Sequence, residues 1–178
     1  GGALYNNENL LHGVIREIKE KTGIENVDVT LFNAFGEINR SPLMRMIALT
    51  YIGVIDSNSV SVMKDTIKTS NADWVNIDDI PELAYDHNEI VNSALSTLRD
   101  KIVNTDILKS LFPGGFTIPE IQKAYETILN KKFDRRNFRK RLLNLNLIDD
   151  TKKEIVFEGK RPAKVYKFKD KQESKNVF

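Results

Sequence analysis

The charged side chains near the start of the chain stand at spacings that could do chemistry: Gly2, Glu8 and then Arg16-Glu17-Ile18-Lys19-Glu20-Lys21-Thr22-Gly23-Ile24. Leu11, Val14 and Ile18 recur at helical spacing, and Gly23 can take the left-handed conformation that closes a helix. The pattern predicts one amphipathic helix from about Glu8 to Thr22. On it Glu17 and Glu20 are three residues apart and Lys21 is four from Glu17, so all three project from neighbouring surface. Two adjacent carboxylates could hold Mg, which usually binds between carboxylates and substrate phosphates. Lys21 opposes this, because an ammonium repels a metal and can pair with Glu17 itself. A merely charged, solvent-facing helix is the plain alternative.

The complete spacing, Gly2-x5-Glu8-x7-Arg16-Glu17 through Gly23-Ile24, resembles the Nudix box, the Mg-binding loop-helix-loop of enzymes that cleave nucleoside diphosphates linked to another group. The resemblance implies Glu17 and Glu20 as metal ligands. Lys21 departs from it, standing where the family pattern has the second of two adjacent glutamates. Losing a ligand and gaining a cation predicts a degenerate box (Arg16, Glu17, Glu20, Lys21) with no catalytic residues and no required cofactor. Mg enters only if the protein is a hydrolase. The fold class expected is α/β (α+β): a Nudix-like mixed sheet with helices over residues 1–104, whose first strands are missing from the given chain.

The next elements would position that helix. Val27 to Phe35 and Arg45 to Ile55 read as strands, with Gly36 to Leu43 as the loop between them. Arg40, Pro42 and Arg45 resemble a loop of a Nudix-related regulator family whose pattern is Arg-Asp-Pro followed by an Arg; here Ser41 replaces the Asp. Arg40 and Arg45 are therefore candidate ligand-binding residues, with solvated loop arginines as the alternative. Asp56 to Asn71 reads as loop, and Ala72 to Ile77 as a short strand carrying Trp74 into packing. A helix capped by Asp86 or Asn88 should run to about Val103; Asp86-His87 there reads as a cap and a surface imidazole, not a catalytic pair.

Charge divides the chain. Residues 1–104 hold nine Lys and Arg against fifteen Asp and Glu, a balance of −6, and residues 105–178 hold eighteen against ten, a balance of +8. A basic half joined to an acidic one points to a nucleic-acid-facing module. With no cysteine and two histidines, disulfides, thiol chemistry and most histidine metal sites are excluded. No apolar run approaches the ~20 residues of a membrane helix, and the start lacks a signal-peptide pattern, so a cytoplasmic protein without a membrane partner is expected.

The basic half, residues 105–178, has the pattern of a winged helix. Thr117 and Glu120 have capping-box spacing, Pro119 fits a first turn, and Phe116 with Ile121 can form a hydrophobic staple. That helix should end near Leu129, burying Ile121, Tyr125 and Ile128. A second helix begins at Asp134, with Phe138, Leu142 and Leu145 in one stripe and Arg136 and Lys140 almost opposite. Glu154 to Phe157 and Lys164 to Phe168 read as strands joined by a basic tip. A turn between two helices, the second presenting cations, is how a recognition helix enters the major groove.

The runs Phe116-Thr117, Tyr125-Glu126, Asp134 to Lys140 and Gly159-Lys160-Arg161-Pro162-Ala163 with Tyr166 are similar to the C-terminal domain of Nudix-related transcriptional regulators, the NrtR family and its arabinose-responsive relatives. The resemblance implies a repressor that binds double-stranded operator DNA, with an effector that is ADP-ribose or a related NAD metabolite, or a sugar; because one winged helix reads only a short half-site, a homodimer is expected. The cationic face of the second helix and the basic hairpin make Arg135, Arg136, Asn137, Arg139, Lys140, Lys160, Arg161 and Lys164 the expected DNA-binding residues. A Mg-dependent hydrolase of ADP-ribose-like nucleoside diphosphates is the alternative, and a winged helix that binds only protein is a third.

Overall fold

The computed structural model describes residues 1–57, 59–63, 66, 68, 72–102, 106–156, 159 and 161–169. The chain forms two compact units, Gly1–Ser93 and Ala94–Phe178. The boundary expected at 104/105 falls among residues outside those described.

In the first unit, α1 spans Leu10–Thr22. Asn9, not Glu8, starts it: the Asn9 side chain accepts the His12 N–H at 2.9 Å, satisfying a donor that no helical carbonyl can reach. Gly23, at φ 73°, closes the helix by donating its N–H to the Lys19 carbonyl. Strand β1, Val29–Phe35, pairs antiparallel with β2, Ala48–Gly53, from Val29 opposite Gly53 to Phe35 opposite Ala48, with a register shift between Leu31 and Asn33. The second strand is shorter at both ends than the run of β-branched residues suggests, and Arg45, before its start, turns its guanidinium onto the carbonyls of Gly36 and Glu37 at the loop base.

Residues 72–76 do not form the expected strand, and Trp74 is 51% exposed instead of packed. Local polar groups outcompete a ladder there: the Trp74 N–H bonds the Asp73 carboxylate, and Asn76 accepts the Asp78 N–H, opening the single 3-10 turn Ile77–Asp79. Helix α2 then runs from His87 to Ile102. The Asp86 carboxylate before it is engaged by Arg40, while Asn88 ties back to Leu83 and Pro81. Among the described residues of this unit, only Gly13 and Phe35 are buried.

The second unit has a true apolar core. After α3, Asp106–Leu111, come α4, Ile118–Leu129, and α5, Arg135–Asn144, then the antiparallel pair β3, Ile148–Ile155, and β4, Ala163–Phe168. Ile102, Leu108, Phe116, Ile121, Tyr125, Phe138, Leu142 and Leu147 are all at most 1% exposed and form one cluster. The short α3 escapes a periodicity reading because six residues give less than two turns of pattern. Strand β3 begins six residues earlier than its apolar content suggests; pairing of Asp149 with Lys167 and Asp150 with Tyr166 imposes it on a polar run. Phe116 pairs its backbone with Tyr166 and stacks between Phe112 and Phe168, adding a third short edge to the hairpin.

Leu142 fills the space between α5 and its neighbours completely. Leu142→Ala should cost about 2–5 kcal/mol of stability in the second unit, read as a lower denaturant midpoint by circular dichroism, whereas the exposed Lys140→Ala should leave the midpoint nearly unchanged.

Candidate ligand and nucleic-acid sites

Arg16 organises the Nudix-box segment. Its Nε and Nη2 grip both oxygens of Glu8 at 2.9 and 2.6 Å, its Nη1 reaches Glu17 at 2.6 Å and Glu20 at 3.0 Å, and Nη2 also donates to the Ala3 carbonyl. The guanidinium lies 3.9 Å from the centroid of the Tyr5 ring. Helical spacing sets this up: Arg16 and Glu20 are four apart, so one turn brings them together. Gly2 lies close against the Glu17 carboxylate, and a Cβ there would sit 2.0 Å from Glu17 Oε1, so a larger residue would push that side chain from its place.

Glu17 is further held by Lys21 at 3.0 Å and Lys68 at 3.4 Å, and Glu20 by Lys68 at 2.6 Å. Lys21 also donates to the Gly1 carbonyl. The Arg16 guanidinium beside Glu8 holds that carboxyl down at about 2. Burial works against ionisation of Glu17, but Lys21 and Arg16 outweigh it and hold this carboxyl at about 2 as well. Lys68 beside Glu20 lowers that carboxyl too.

Three carboxylates thus meet three cations. No group of three His, Cys, Asp or Glu side chains among the described residues is placed to hold a metal. As arranged, Glu17 Oε1 and Glu20 Oε2 are engaged by Arg16 and Lys68, and Lys21 lies beside Glu17 Oε2, which accepts no hydrogen bond, so a Mg ion bound here would compete with three cations. Lys68 carries no signal in the sequence, standing in a polar loop.

Arg40 does not present itself to a ligand. Its Nε and Nη2 bind the two Asp86 oxygens at 2.8 and 3.1 Å, and its side chain is 7% exposed. In place of a solvated loop arginine stands a buried bidentate strut between the β1–β2 loop and the start of α2. Arg45 is exposed, with part of its guanidinium spent on the loop carbonyls.

In the second unit, α5 starts where Asp134 accepts the Asn137 N–H at 2.9 Å and ends after one more cation, Arg141. Phe138 and Leu142 face inward, and Arg135, Arg136, Asn137, Arg139 and Lys140 are all exposed. These split into two adjoining stripes. Arg135 and Arg139 join Arg161 and Lys164 of the hairpin along one groove of about 760 Å³; Arg136, Asn137 and Lys140 do not line it. Lys164 is less free than the sequence suggests, its Nζ lying 3.0 Å from Asp150 Oδ2. Lys160 lies outside the described residues.

Residues 97–168 match the family model of the NrtR DNA-binding winged helix domain. The chain is 28% identical over 167 residues to the ADPR responsive transcriptional repressor NtrR of Acinetobacter baylyi, an alignment covering 93% of this chain and 66%, just under two thirds, of that protein. It is 26% identical over 91 residues, 51% of the chain, to the ADP-ribose pyrophosphatase of Methanocaldococcus jannaschii, covering 52% of that enzyme. Its fold is similar to that of Shewanella oneidensis NrtR, with a TM-score of 0.74 at 24% identity over 94% of this chain and 77% of the other; that protein has also been solved with a 27mer DNA. A MutT/nudix family protein from Enterococcus faecalis gives 0.73 at 20% identity, over 94% and 71% of the two chains.

The charge cluster makes stability depend on acid in a defined direction. A carboxyl whose folded pKa lies below its unfolded value stabilises above that unfolded value and loses the contribution as pH falls. Glu8 and Glu17, held at about 2 against an ordinary 4.5, should therefore lower the melting temperature as pH drops from 4.5 towards 2. Glu17→Gln should melt lower at neutral pH and lose less across that window, as measured by scanning calorimetry.

Proposed function

We infer that this chain, whose residues 97–168 match the NrtR winged helix domain, is a DNA-binding transcriptional regulator with a Nudix-like unit that senses a small molecule. The observation that carries the reading is the exposed cationic surface of α5, Arg136 and Lys140 above all, locked outward by the burial of Phe138 and Leu142 on the opposite side. A helix so oriented can enter the major groove, where base edges are distinguishable, while hairpin cations meet phosphates.

The ADPR response named for the A. baylyi repressor makes ADP-ribose the first effector to test, with pentoses second, and repression is the expected sense of regulation. A homodimer reading two half-sites is the arrangement that two-fold operators require. Hydrolysis is the second reading, favoured by the similarity of half the chain to an ADP-ribose pyrophosphatase. Against it stands the box itself: Lys21 occupies a ligand position, and both remaining carboxylates are neutralised by neighbouring cations.

Three measurements follow. Wild-type protein with Mg should not turn over ADP-ribose, whereas robust turnover abolished by Glu20→Gln would establish the hydrolase reading. ADP-ribose should raise the melting temperature, and an absence of any shift with either ADP-ribose or pentoses would remove the sensing assignment. Arg136→Ala should lose about 1–3 kcal/mol of preference for a selected duplex over a random one; a chain that binds no duplex at low salt would overturn the regulator.

A further inference from the structure

The groove beside α5 carries a second, more specific assignment. Besides Arg135, Arg139 and Arg161 it is lined by Lys123, on the exposed side of α4. None of these four cations has an ion pair among the described residues, although an acidic residue stands on each wall. Glu120 is spent locally, accepting both the backbone N–H and the hydroxyl of Thr117 at 2.7 and 2.8 Å. Glu154, the other carboxylate, sits on the β3 wall. Lys164, the fifth cation of the groove, is held by Asp150.

Four cations without an ion pair among the described residues face one open groove from a helix, a second helix and a hairpin, and against them the groove holds only two carboxylates, Glu120 and Glu154, so its balance stays cationic. The lining also includes the apolar Pro119, Ile118, Pro162 and Ala163 and the buried Tyr166. A groove that mixes cations with apolar surface matches a sugar-phosphate chain, whose phosphates need point charges and whose sugars need none. Arg135 and Arg139, one turn apart on α5, can meet successive phosphates along it.

We propose that this groove seats one phosphodiester strand of the duplex, gripped by Lys123, Arg135, Arg139 and Arg161, leaving Arg136 and Lys140 for the base edges. The proposal rests on the DNA-binding reading above and adds to it a division of labour within α5 and a phosphate contact, Lys123, on the helix before it. Phosphate contacts position a protein without reading sequence, whereas base contacts read it. The two stripes should therefore respond differently to substitution.

The full chain, titrated with a random-sequence DNA duplex across a salt series, separates them. Lys123→Ala and Arg139→Ala should each weaken binding to every duplex about three- to tenfold at low salt and reduce the slope of log affinity against log salt by about one. The bases enriched from a random duplex pool should stay those of the wild type, while Arg136→Ala should change them. Lys123→Glu should weaken binding further than Lys123→Ala. All three positions are exposed, so circular dichroism melts should match the wild type. If the wild type binds and Lys123→Ala and Lys123→Glu keep its affinity and salt slope, the strand lies elsewhere and the proposal fails. If the wild type retains no duplex at low salt, the DNA-binding reading fails and takes the proposal with it.

Discussion

The seating of Phe138 fixes the rotation of α5, and the character of the basic unit follows from that. Half of the ten residues of α5 are Lys or Arg, and an isolated helix of that length is marginal in water even with favourable residues. Phe138 stacks against Tyr125 and Phe133 with ring centroids 5.7 and 5.8 Å away, and Leu142 follows it one turn later. With those two side chains inside, the cations of α5 can go only to solvent. The hairpin is brought beside them by another aromatic contact, Phe116 against Phe168 at 4.8 Å, secured by the backbone pairing of Phe116 with Tyr166.

The first unit is ordered by a different force. Its best-defined described feature is the ion cluster around Arg16, not an apolar centre. Charges removed from water return stability only when well paired, and here the pairing is dense: Arg16 is 18% exposed and Glu8 10%, with both Glu8 oxygens engaged. The same pairing bears on ligand chemistry. A divalent cation would have to compete with the ammonium and guanidinium groups that pair with Glu17 and Glu20, so the cluster serves architecture in the arrangement seen here. Arg40 and Asp86 repeat this logic at smaller scale, fixing the β1–β2 loop to α2 with a planar two-point contact.

The sequence by itself determined the features written in local spacing. The α1 helix and its Gly23 stop, the Thr117–Glu120 cap, the Asp134 cap, the Asn130 left-handed stop at φ 49° and the outward face of α5 all depend on residues within one or two turns of each other. The charge split and the box spacing with Lys21 in it were equally legible, because composition and fixed intervals need no coordinates.

Only the tertiary structure decided the rest, since it depends on partners far apart in the chain. Lys68 reaches Glu17 and Glu20 from about fifty residues away, and Asp86 claims Arg40 across forty-six; no interval announces either pair. The early start of β3 comes from β4, and the exposure of Trp74 from polar groups that satisfy one another before a strand can form. Lys123 carries no signal of its own in the sequence, and only the hairpin packed nearby gives it a groove to line. Periodicity tells which side of an element turns inward; it takes the packed chain to decide what the other side faces.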